Sequence, residues 1–391
     1  MRREILDILL CPFCGCPLTA QSALDAGNAI LHCECSTYPV VAGIPVLQQD
    51  YKADEATEYL AAGDAIAALC VMLELDDAVP LREVTNYRAG IALLGTPDEG
   101  PYFINRFADP TFLVSAAVTR GVSSYLPKTR ALDICGGSGH LTRVLCQTGF
   151  AEVFLAETDY WKLWLAQRFI APSATMICCD ANNPLPFAPD SFALAICSDA
   201  FHYVWSKRLL AAEMLRLVGD SGAAVVTHAH NKLCHNFSAG EPLTPAGYQN
   251  LFAPKPARLY RDSEFLAAAV AGREPDFSVS ESAEVLAGEA VLTLIASSRA
   301  EVFSACEPTA NGHVEGVLRL NPLYAATRDG EWLNLRLRFP SAGYAKEYAA
   351  CKLYLAEELT VSMADIERGA PELVARRVLL DLPEGFGFAQ P

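Results

Sequence analysis

The chain has 391 residues, of which 52% are hydrophobic and 19% charged, and its formal net charge is −16. This composition excludes an intrinsically disordered protein, and the length predicts two to four domains. No apolar run reaches the roughly 18 residues of a membrane span, and the acidic first residues do not resemble a signal peptide, so we expect a cytoplasmic protein with no membrane partner. The negative charge also argues against a nucleic-acid partner, because basic side chains dominate that affinity.

The fourteen cysteines are unevenly distributed, and five of them fall within the first 35 residues: Cys11, Cys14, Cys16, Cys33 and Cys35. In a protein without an export signal such a cluster favours a metal over disulfide bonds. Tetrahedral zinc prefers four soft ligands, and a segment of this size needs a cross-link to fold. The polar stretch 19–30 between the two groups of cysteines predicts a hairpin. The five cysteines and His32 compete for the four ligand positions.

Residues 1–50 resemble the small zinc-ribbon subunit that activates several tRNA, rRNA and release-factor methyltransferases. The resemblance rests on segments 9–15, 17–18 and 38–47. It implies a structural zinc ion held by Cys11, Cys14, Cys33 and Cys35. The second pair departs from the family pattern, since one residue rather than two separates its cysteines, and Cys16 is the alternative fourth ligand. The other interpretation is a ribbon that persists as a packed hairpin without metal.

Helical periodicity begins at residue 54 and continues to residue 75, which predicts one or two helices. The segment 51–105 is therefore interpreted as a helical connector, interrupted by glycines and prolines. A further helix is expected over 111–125. The glycine-rich turn Gly136-Gly137-Ser138-Gly139 then follows a short apolar strand and precedes another helical run. Such a turn lets backbone amides approach a ligand closely.

Five apolar segments, one before this turn and four after it, alternate with helical segments. They are predicted strands: 131–135, 152–157, 175–179, 192–197 and 223–227. Alternation of this kind favours a doubly wound parallel sheet, with ligands at the carboxyl edge of the strands. Polar residues follow several of the strands at that edge. They include Glu157, Asp180, Asp199 and His228.

The order and spacing of these segments resemble a class I S-adenosylmethionine-dependent methyltransferase over residues 106–300. The segment 132–139 matches the first motif of that family, although Cys135 stands where its first glycine is usual. Glu157 matches the ribose-binding acid and Asp180 the adenine-side acid, with Phe187 or Trp161 over the adenine ring. The strand expected over 291–297 matches the last, antiparallel strand. The resemblance implies S-adenosylmethionine as cofactor, bound by these residues: Asp133, Cys135, Gly137, Gly139, Glu157, Asp180, Ala181 and Ser198.

Four of the seven histidines are close to the carboxyl edge of the predicted sheet: His202, His228, His230 and His235. Histidine suits proton removal from a methyl acceptor because its pKa lies near physiological pH. We predict that His228 and His230 orient the acceptor or act as general base, with their side chains on one side of a continuing strand. His202 is a further catalytic candidate with a structural role as its alternative. A second metal site with Cys234 or His235, or ordinary packing, is the alternative for the pair.

The predicted fold class is thus α/β, a Rossmann-like class I methyltransferase sheet with an N-terminal zinc ribbon and a small C-terminal α+β extension. The extension, residues 301–391, is interpreted as a cap over the active site or a surface for homo-oligomer formation. Within it we expect strands over 314–320 and 332–339 and helices over 349–358 and 363–368.

Three functions fit this organisation. The first is methylation of a small molecule, such as a secondary metabolite or a glycan or lipid precursor. The second is methylation of tRNA, rRNA or a protein factor, which only the ribbon suggests. The third is a non-catalytic scaffold. The acidic net charge and the extension favour the first.

Overall fold

The computed structural model describes residues 3–20, 27–236, 239–307 and 316–387. The N-terminal segment forms a small antiparallel sheet in which sequential strands are neighbours. Its strands are β1 (Thr19–Ala20), β2 (Ala29–His32), β3 (Thr37–Val41) and β4 (Ile44–Pro45). Leu31 of β2 is opposite Tyr38 of β3, and both side chains are fully buried. Part of the predicted hairpin, residues 21–26, lies outside the described residues.

Four helices connect this small sheet to the rest of the chain: α1 (Tyr51–Ala61), α2 (Ala65–Leu73), α3 (Tyr87–Leu94) and α4 (Glu99–Asn105). The prediction of helices over 54–75 is confirmed by α1 and α2. Asp50, Asp64 and Asn86 cap the first three helices, since each side chain accepts a hydrogen bond from a backbone amide in the first turn. These caps explain why the helices begin where they do.

A seven-stranded sheet forms the centre of the molecule, in the order β10-β11-β9-β8-β5-β6-β7. Strands β5 to β9 are parallel, whereas β11 runs antiparallel to both of its neighbours. The predicted parallel sheet is confirmed, while β10 was not predicted and β9 extends three residues further than expected. The strands are β5 (Arg130–Ile134), β6 (Glu152–Glu157), β7 (Thr175–Cys178), β8 (Leu194–Ser198), β9 (Ala223–His230), β10 (Ala257–Arg261) and β11 (Val291–Ser297).

Helices cover both faces of this sheet, which is why its strands are apolar along their whole length. Consecutive residues of β8 show the arrangement, because Leu194 and Ala195 are buried in different hydrophobic clusters. The helices are α5 (Pro110–Ser124), α6 (His140–Cys146), α7 (Tyr160–Leu165), α8 (Lys207–Val218), α9 (Pro245–Leu251) and α10 (Asp262–Val270). A π-helical turn, Ala166–Ile170, continues α7.

The small N-terminal sheet attaches to the edge of the central sheet next to β7. The amide of Leu47 donates to the carbonyl of Cys178 at 2.7 Å, and the amide of Leu10 donates to the carbonyl of Pro186 at 3.0 Å. The amide of Ala188 donates in return to the carbonyl of Ile8 at 2.8 Å. An open edge strand is a template for aggregation, and here the N-terminal segment satisfies part of that edge.

The C-terminal extension contains two further sheets. Strands β12 (Val317–Leu320) and β16 (Leu379–Leu382) pair with each other, and β13 (Tyr324–Asp329), β14 (Trp332–Leu337) and β15 (Glu358–Ser362) form an antiparallel meander. Three short helices complete it: α11 (Ala342–Glu347), α12 (Met363–Glu367) and α13 (Pro371–Ala375).

The predictions for the extension are correct in part. The strand predicted over 332–339 and the helix over 363–368 correspond to β14 and α12. Of the strand predicted over 314–320, residues 317–320 are β12, whereas 314 and 315 lie outside the described residues. The helix predicted over 349–358 is wrong, because only a 3-10 turn is present over Ala349–Leu353. Glu358 instead begins β15, where it pairs with Arg336 of β14.

In the parts of the chain that the structure describes, no helix combines the length and apolar character needed to cross a bilayer.

Candidate active site

A cavity of about 630 Å³ opens at the carboxyl ends of the parallel strands. Two groups of residues line it. We call the first the glycine-turn wall, which consists of Cys135, Gly137, Glu157 and Asp180. We call the second the histidine wall, which consists of Tyr102, Arg106, Asp199, His230 and Tyr348.

The turn after β5 has a backbone that favours glycine. Gly137 adopts φ +56°, and Cys135 adopts φ +55° although it carries a side chain. A non-glycine residue in this region costs about 1–2 kcal/mol. Gly136 has no room for a side chain, because a Cβ atom there would lie 2.4 Å from Leu155 and 2.5 Å from Asp133 Oδ2. The turn therefore brings backbone rather than side chains to the cavity, with Cys135 as the exception.

Glu157 ends β6 and is held in place by backbone amides. Its Oε2 accepts from the amide of Gly137 at 2.9 Å, and its Oε1 accepts from the amide of Thr158 at 2.8 Å. Burial raises the pKa of Glu157, while the nearby Lys162 ammonium opposes that rise. The carboxylate is 7% exposed and lines the cavity, so its remaining acceptor positions are available to a ligand.

Asp133 lies beneath the glycine turn and is fully buried. Thr142 donates to its Oδ2 at 2.7 Å, while its Oδ1 has no hydrogen-bond partner among the described residues. Burial raises the pKa of Asp133 to about 7, and the hydrogen bond from Thr142 only partly opposes this effect. Asp133 also lines the cavity, and an unpartnered buried oxygen at this place fits a ligand that donates a hydrogen bond.

Asp180 follows β7 and turns the chain back on itself. Its Oδ1 accepts from the amide of Asn182 at 2.8 Å and from the side chain of Asn182 at 2.9 Å. Asp180 and Ala181 both line the cavity. Phe187, expected over an adenine ring, is instead fully buried against Phe154 and Phe192.

Asp199 is the centre of the histidine wall. It follows β8 with φ +54° and accepts at Oδ2 from the Tyr102 hydroxyl and the Arg106 guanidinium, both at 3.1 Å. Burial would raise the pKa of Asp199, but the positive charges of His228 and Arg106 lower it far more. Arg106 also contacts Asp109 at 3.2 Å. Asp199 is therefore ionised at any physiological pH.

Three of the predicted histidines surround Asp199, and they differ in environment. Nε2 of His230 lies 3.6 Å from Asp199 Oδ1, and Nδ1 of His228 lies 3.3 Å from Asp262 Oδ2. Burial lowers the pKa of His228, but Asp199 and Asp262 raise it above the ordinary value. The His202 ring is 4.4 Å from that of His230, and burial together with His230 lowers the pKa of His202 to about 4.

The backbone at His228 does not continue as a regular strand. Its φ is +53°, and the pairing of β9 with β11 shifts register at this point, which marks a β-bulge. The rings of His228 and His230 are nevertheless only 5.3 Å apart. The bulge places His230 in the cavity and His228 behind it, beside Thr111 at 3.3 Å.

The C-terminal extension contributes Glu347 and Tyr348 to the cavity lining. The Tyr348 ring lies 4.4 Å from that of Tyr344, tilted by 42°, and 6.4 Å from the ring of Tyr102. The extension is fixed to the central domain by the pair Arg143–Asp381, with 3.1 Å between nitrogen and oxygen. The extension therefore closes one side of the cavity.

Most residues predicted for the site line one cavity: Asp133, Cys135, Gly137, Glu157, Asp180, Ala181, Ser198 and His230. Gly139, His202 and His228 do not line it. A Cβ atom at Gly139 would lie 3.0 Å from the Cβ of Ala166, so that glycine serves close helix packing. Sequence reasoning missed Tyr102, Arg106 and Tyr348, which no motif marks. Asp199 could have been found from its place after a strand.

The cysteine cluster lies in the N-terminal sheet and brings together Cys11, Cys14, Cys33 and Cys35. The sulfur atoms of Cys33 and Cys35 are 3.6 Å apart, as are those of Cys11 and Cys35, and those of Cys14 and Cys33 are 4.0 Å apart. Thiolates around tetrahedral zinc with bonds of about 2.3 Å would be about 3.8 Å apart. The residues present therefore fit the ion, and Cys35 rather than Cys16 is the fourth member of the group.

Comparison with known families shows which class of enzyme this cavity serves. Residues 131–222 match the model of a family described as a methyltransferase domain. The chain is an S-adenosylmethionine-dependent methyltransferase. The matched residues include the whole glycine-turn wall and Asp199, and the position of the glycine turn, Glu157 and Asp180 fits that cofactor. No curated protein matches the chain.

Solved structures of several methyltransferases are similar to part of the chain. One from Mesorhizobium loti is 17% identical, with 45% of this chain and 94% of that chain covered and a TM-score of 0.34. A TehB-like methyltransferase from Corynebacterium glutamicum is 16% identical, with 47% and 88% covered and a TM-score of 0.34. A geranyl diphosphate methyltransferase is 13% identical, with 55% and 90% covered and a TM-score of 0.36. The assignment rests on the family match.

Proposed function

We propose that the methyltransferase transfers its methyl group to a small-molecule acceptor, such as a secondary metabolite or a glycan or lipid precursor, bound against the histidine wall. The observation that supports this proposal is the single cavity of about 630 Å³, which joins the glycine-turn wall to Asp199 and His230. The cofactor supplies an activated methyl group on a sulfonium sulfur. The residues of the two walls must bind the cofactor, orient the acceptor and assist the loss of its proton.

The glycine-turn wall is proposed to bind the cofactor. Glu157 accepts hydrogen bonds from the ribose hydroxyls, and Asp180 accepts from the adenine amino group. The backbone around Gly137 lies against the methionyl part. The fixed orientation of Glu157 supports this assignment, because the amides of Gly137 and Thr158 hold its carboxylate before any ligand arrives.

The histidine wall is proposed to orient the nucleophile of the acceptor and to assist the loss of its proton. His230 lines the cavity, while His228 and His202 contact it from behind and set its position and charge. Asp199 is ionised and within reach of His230, so it stabilises positive charge that develops on the imidazole. These roles for His230, His228 and His202 support methyl transfer to an oxygen or nitrogen atom.

The charges around the cavity favour a small acceptor over RNA. Among its described lining residues, Arg106 and Lys162 are the cationic side chains besides histidine, and both are already paired with acids. Arg106 contacts Asp109 and Asp199, and Lys162 contacts Asp159 at 2.6 Å and Glu99 at 3.3 Å. A polyanion would find few unpaired cations here, and the net charge of −16 would repel it.

The N-terminal sheet is proposed to hold a structural zinc ion through Cys11, Cys14, Cys33 and Cys35. The sulfur separations support this set of four ligands. Four thiolates leave no open coordination position, so the ion would stabilise the fold without entering the reaction. Elemental analysis of the purified protein tests the proposal, with one zinc per chain expected and less than half of that after Cys14→Ser.

Release of S-adenosylhomocysteine from a panel of acceptors tests the proposed function. We expect turnover with a hydroxyl- or amine-bearing small molecule, at a rate that changes little between low and moderate salt. Release that requires tRNA or rRNA and falls steeply with salt would contradict it. Glu157→Ala is the control that shows which release depends on the cofactor site.

A further inference from the structure

The histidine wall brings three metal-ligating side chains together outside the cysteine cluster. One donor atom each from Asp199, His228 and His230 lies within 4.8 Å of the other two. Asp199 follows β8 and His230 ends β9, its parallel neighbour, so the sheet itself fixes their spacing. Two imidazoles and one carboxylate on one side of an ion form the facial triad that binds divalent transition metals and leaves positions open.

The carboxylate of Asp199 is oriented for a single metal bond. Tyr102 and Arg106 both donate to Oδ2, which leaves Oδ1 directed toward Nε2 of His230 at 3.6 Å. Ligands bound at about 2.1 Å from one ion lie about 3.0–3.5 Å apart, so a small movement brings both atoms into coordination distance.

A carboxylate lies behind His228 at ion-pair distance, at the place where metal-binding histidines usually donate to one. Nδ1 of His228 lies 3.3 Å from Asp262 Oδ2, and Thr293 fixes that carboxylate by donating to Oδ1 at 2.7 Å. A carboxylate behind the imidazole sets its tautomer and orientation and leaves Nε2 as the donor toward a metal. At the other side of the ring, the hydrogen-bond partner of Nε2 is the Thr111 hydroxyl at 3.3 Å.

Three buried histidine nitrogens next to the proposed ligand atoms also have no partner in the described part of the chain, which marks the region as polar and incompletely satisfied. Both ring nitrogens of His202 and Nδ1 of His230 have no hydrogen-bond partner among the described residues. These side chains are only 1% and 6% exposed, respectively. An unsatisfied buried polar group costs about 1–3 kcal/mol. Three such nitrogens in one place therefore destabilise the fold unless a ligand or water binds them.

The local charge also suits a dication. The carboxylates of Asp199 and Asp262 contact the histidines, and the guanidinium of Arg106 contacts Asp199 and Asp109. Two carboxylates beside the imidazoles would attract a bound dication.

We propose that Asp199, His228 and His230 bind one divalent transition-metal ion, and that this ion receives the hydroxyl oxygen of the acceptor. The proposal deepens the proposed function and rests on it for the presence of cofactor and acceptor in the same cavity. Cys234 and His235 are not part of this ligand set; the sulfur of Cys234 contacts the carbonyls of Ala287 and Glu289 at 3.5 Å.

The ion would act by lowering the pKa of the acceptor hydroxyl, as bound metals do for water. With His230 bound to the ion, solvent rather than the imidazole takes the proton of the hydroxyl, and the hydroxyl oxygen attacks the methyl carbon of the cofactor. A carbon–oxygen bond forms while the carbon–sulfur bond breaks, and the electron pair of that bond stays on the sulfur of S-adenosylhomocysteine. The metal keeps its charge throughout, so no oxidant or reductant is needed.

Titration of the full-length, zinc-loaded protein with Mn²⁺, followed by the electron paramagnetic resonance signal of the free ion, tests the proposal. We expect one Mn²⁺ per chain in addition to the zinc, because Mn²⁺ prefers nitrogen and oxygen donors to thiolates. His230→Gln should weaken binding at least about 100-fold, and Asp262→Asn about 10-fold through the supporting contact. His235→Gln is the matched histidine control and should bind as the native chain does.

The binding of S-adenosylmethionine, measured by calorimetry on the same samples, shows that each variant is folded. A chain that binds the cofactor but no Mn²⁺, Co²⁺ or second Zn²⁺ would overturn the metal proposal and leave the proposed function intact. Equal Mn²⁺ affinity of His230→Gln and the native chain would also overturn it. A native chain that binds Mn²⁺ but no cofactor would instead count against the proposed function.

Discussion

The glycine-turn wall comes from the ends of three adjacent strands, β5, β6 and β7, whereas the histidine wall gathers side chains from four separate segments of the chain. Two buried aspartates show what this difference does. Asp133 has no charged partner in hydrogen-bond contact, so burial raises its pKa, while Asp199 is surrounded by Arg106 and histidines that lower its pKa. Burial thus sets the pKa of the aspartate beneath the glycine turn, whereas neighbouring charges set the pKa of the aspartate in the histidine wall.

The largest expected effect lies in the histidine wall. His230→Gln removes the imidazole beside Asp199 and should lower kcat about 300-fold, which lies within the range for loss of an acid–base group. The affinity for S-adenosylmethionine should change less than about threefold, because His230 does not belong to the glycine-turn wall. Turnover with the best acceptor of the panel and calorimetry measure the two quantities. Native turnover in this variant would remove His230 from the mechanism.

The next largest effect tests the other wall. Glu157→Ala removes charge-assisted hydrogen bonds to the ribose and should weaken cofactor binding about 100-fold, or about 2.7 kcal/mol. Glu152→Ala, at the other end of β6, is the matched control and should bind the cofactor normally. The assignment fails if both variants bind equally well.

Asp133 offers a pH test of the contrast between the two aspartates. Its pKa of about 7 in the folded chain exceeds the value of about 3.9 in an unfolded one, so between these values the folded state binds the extra proton. Stability should therefore rise as pH falls from about 7.5 to about 5, by about 2.5 kcal/mol more in the native chain than in Asp133→Asn. Urea unfolding of both proteins at the two pH values measures this difference. Parallel changes in the two proteins would show that Asp133 is ionised in the folded state.

The smallest expected effect concerns the C-terminal extension. Tyr348→Ala enlarges the acceptor side of the cavity and should raise the KM for the acceptor about 10-fold, through loss of roughly 1–2 kcal/mol of contact. The affinity for the cofactor should stay the same. Trp332→Ala, at an exposed position of the same extension, serves as control. An unchanged KM for Tyr348→Ala would mean that the extension does not contact the acceptor.

The central sheet could be predicted because its signals are local. Each strand is a short apolar run, the glycine turn follows β5 directly, and Glu157 ends β6. Parallel strands bring their carboxyl ends together, so Glu157 and Asp180 could be placed at one edge without knowledge of any contact. The four cysteines of the cluster were recognisable for the same reason, since they occur in two closely spaced pairs.

The histidine wall could be predicted only in part. Arg106 and Asp199 are 93 positions apart, and no spacing rule links an arginine before α5 to the end of β8. Tyr348 enters from an extension whose helix prediction over 349–358 failed, because an acidic residue at its end joined a strand instead. The left-handed backbone of His228 was also unexpected, because an apolar strand pattern does not indicate where a bulge occurs.

The hydrogen bonds between residues 8–10 and 186–188 and between Leu47 and Cys178 have a consequence for handling of the protein. Through these hydrogen bonds the N-terminal segment covers the β7 edge of the central sheet. We expect removal of the proposed zinc ion by a chelator to loosen these contacts and to free the edge strand β7 for pairing with a second molecule. Aggregation after chelation would then follow from exposure of that edge.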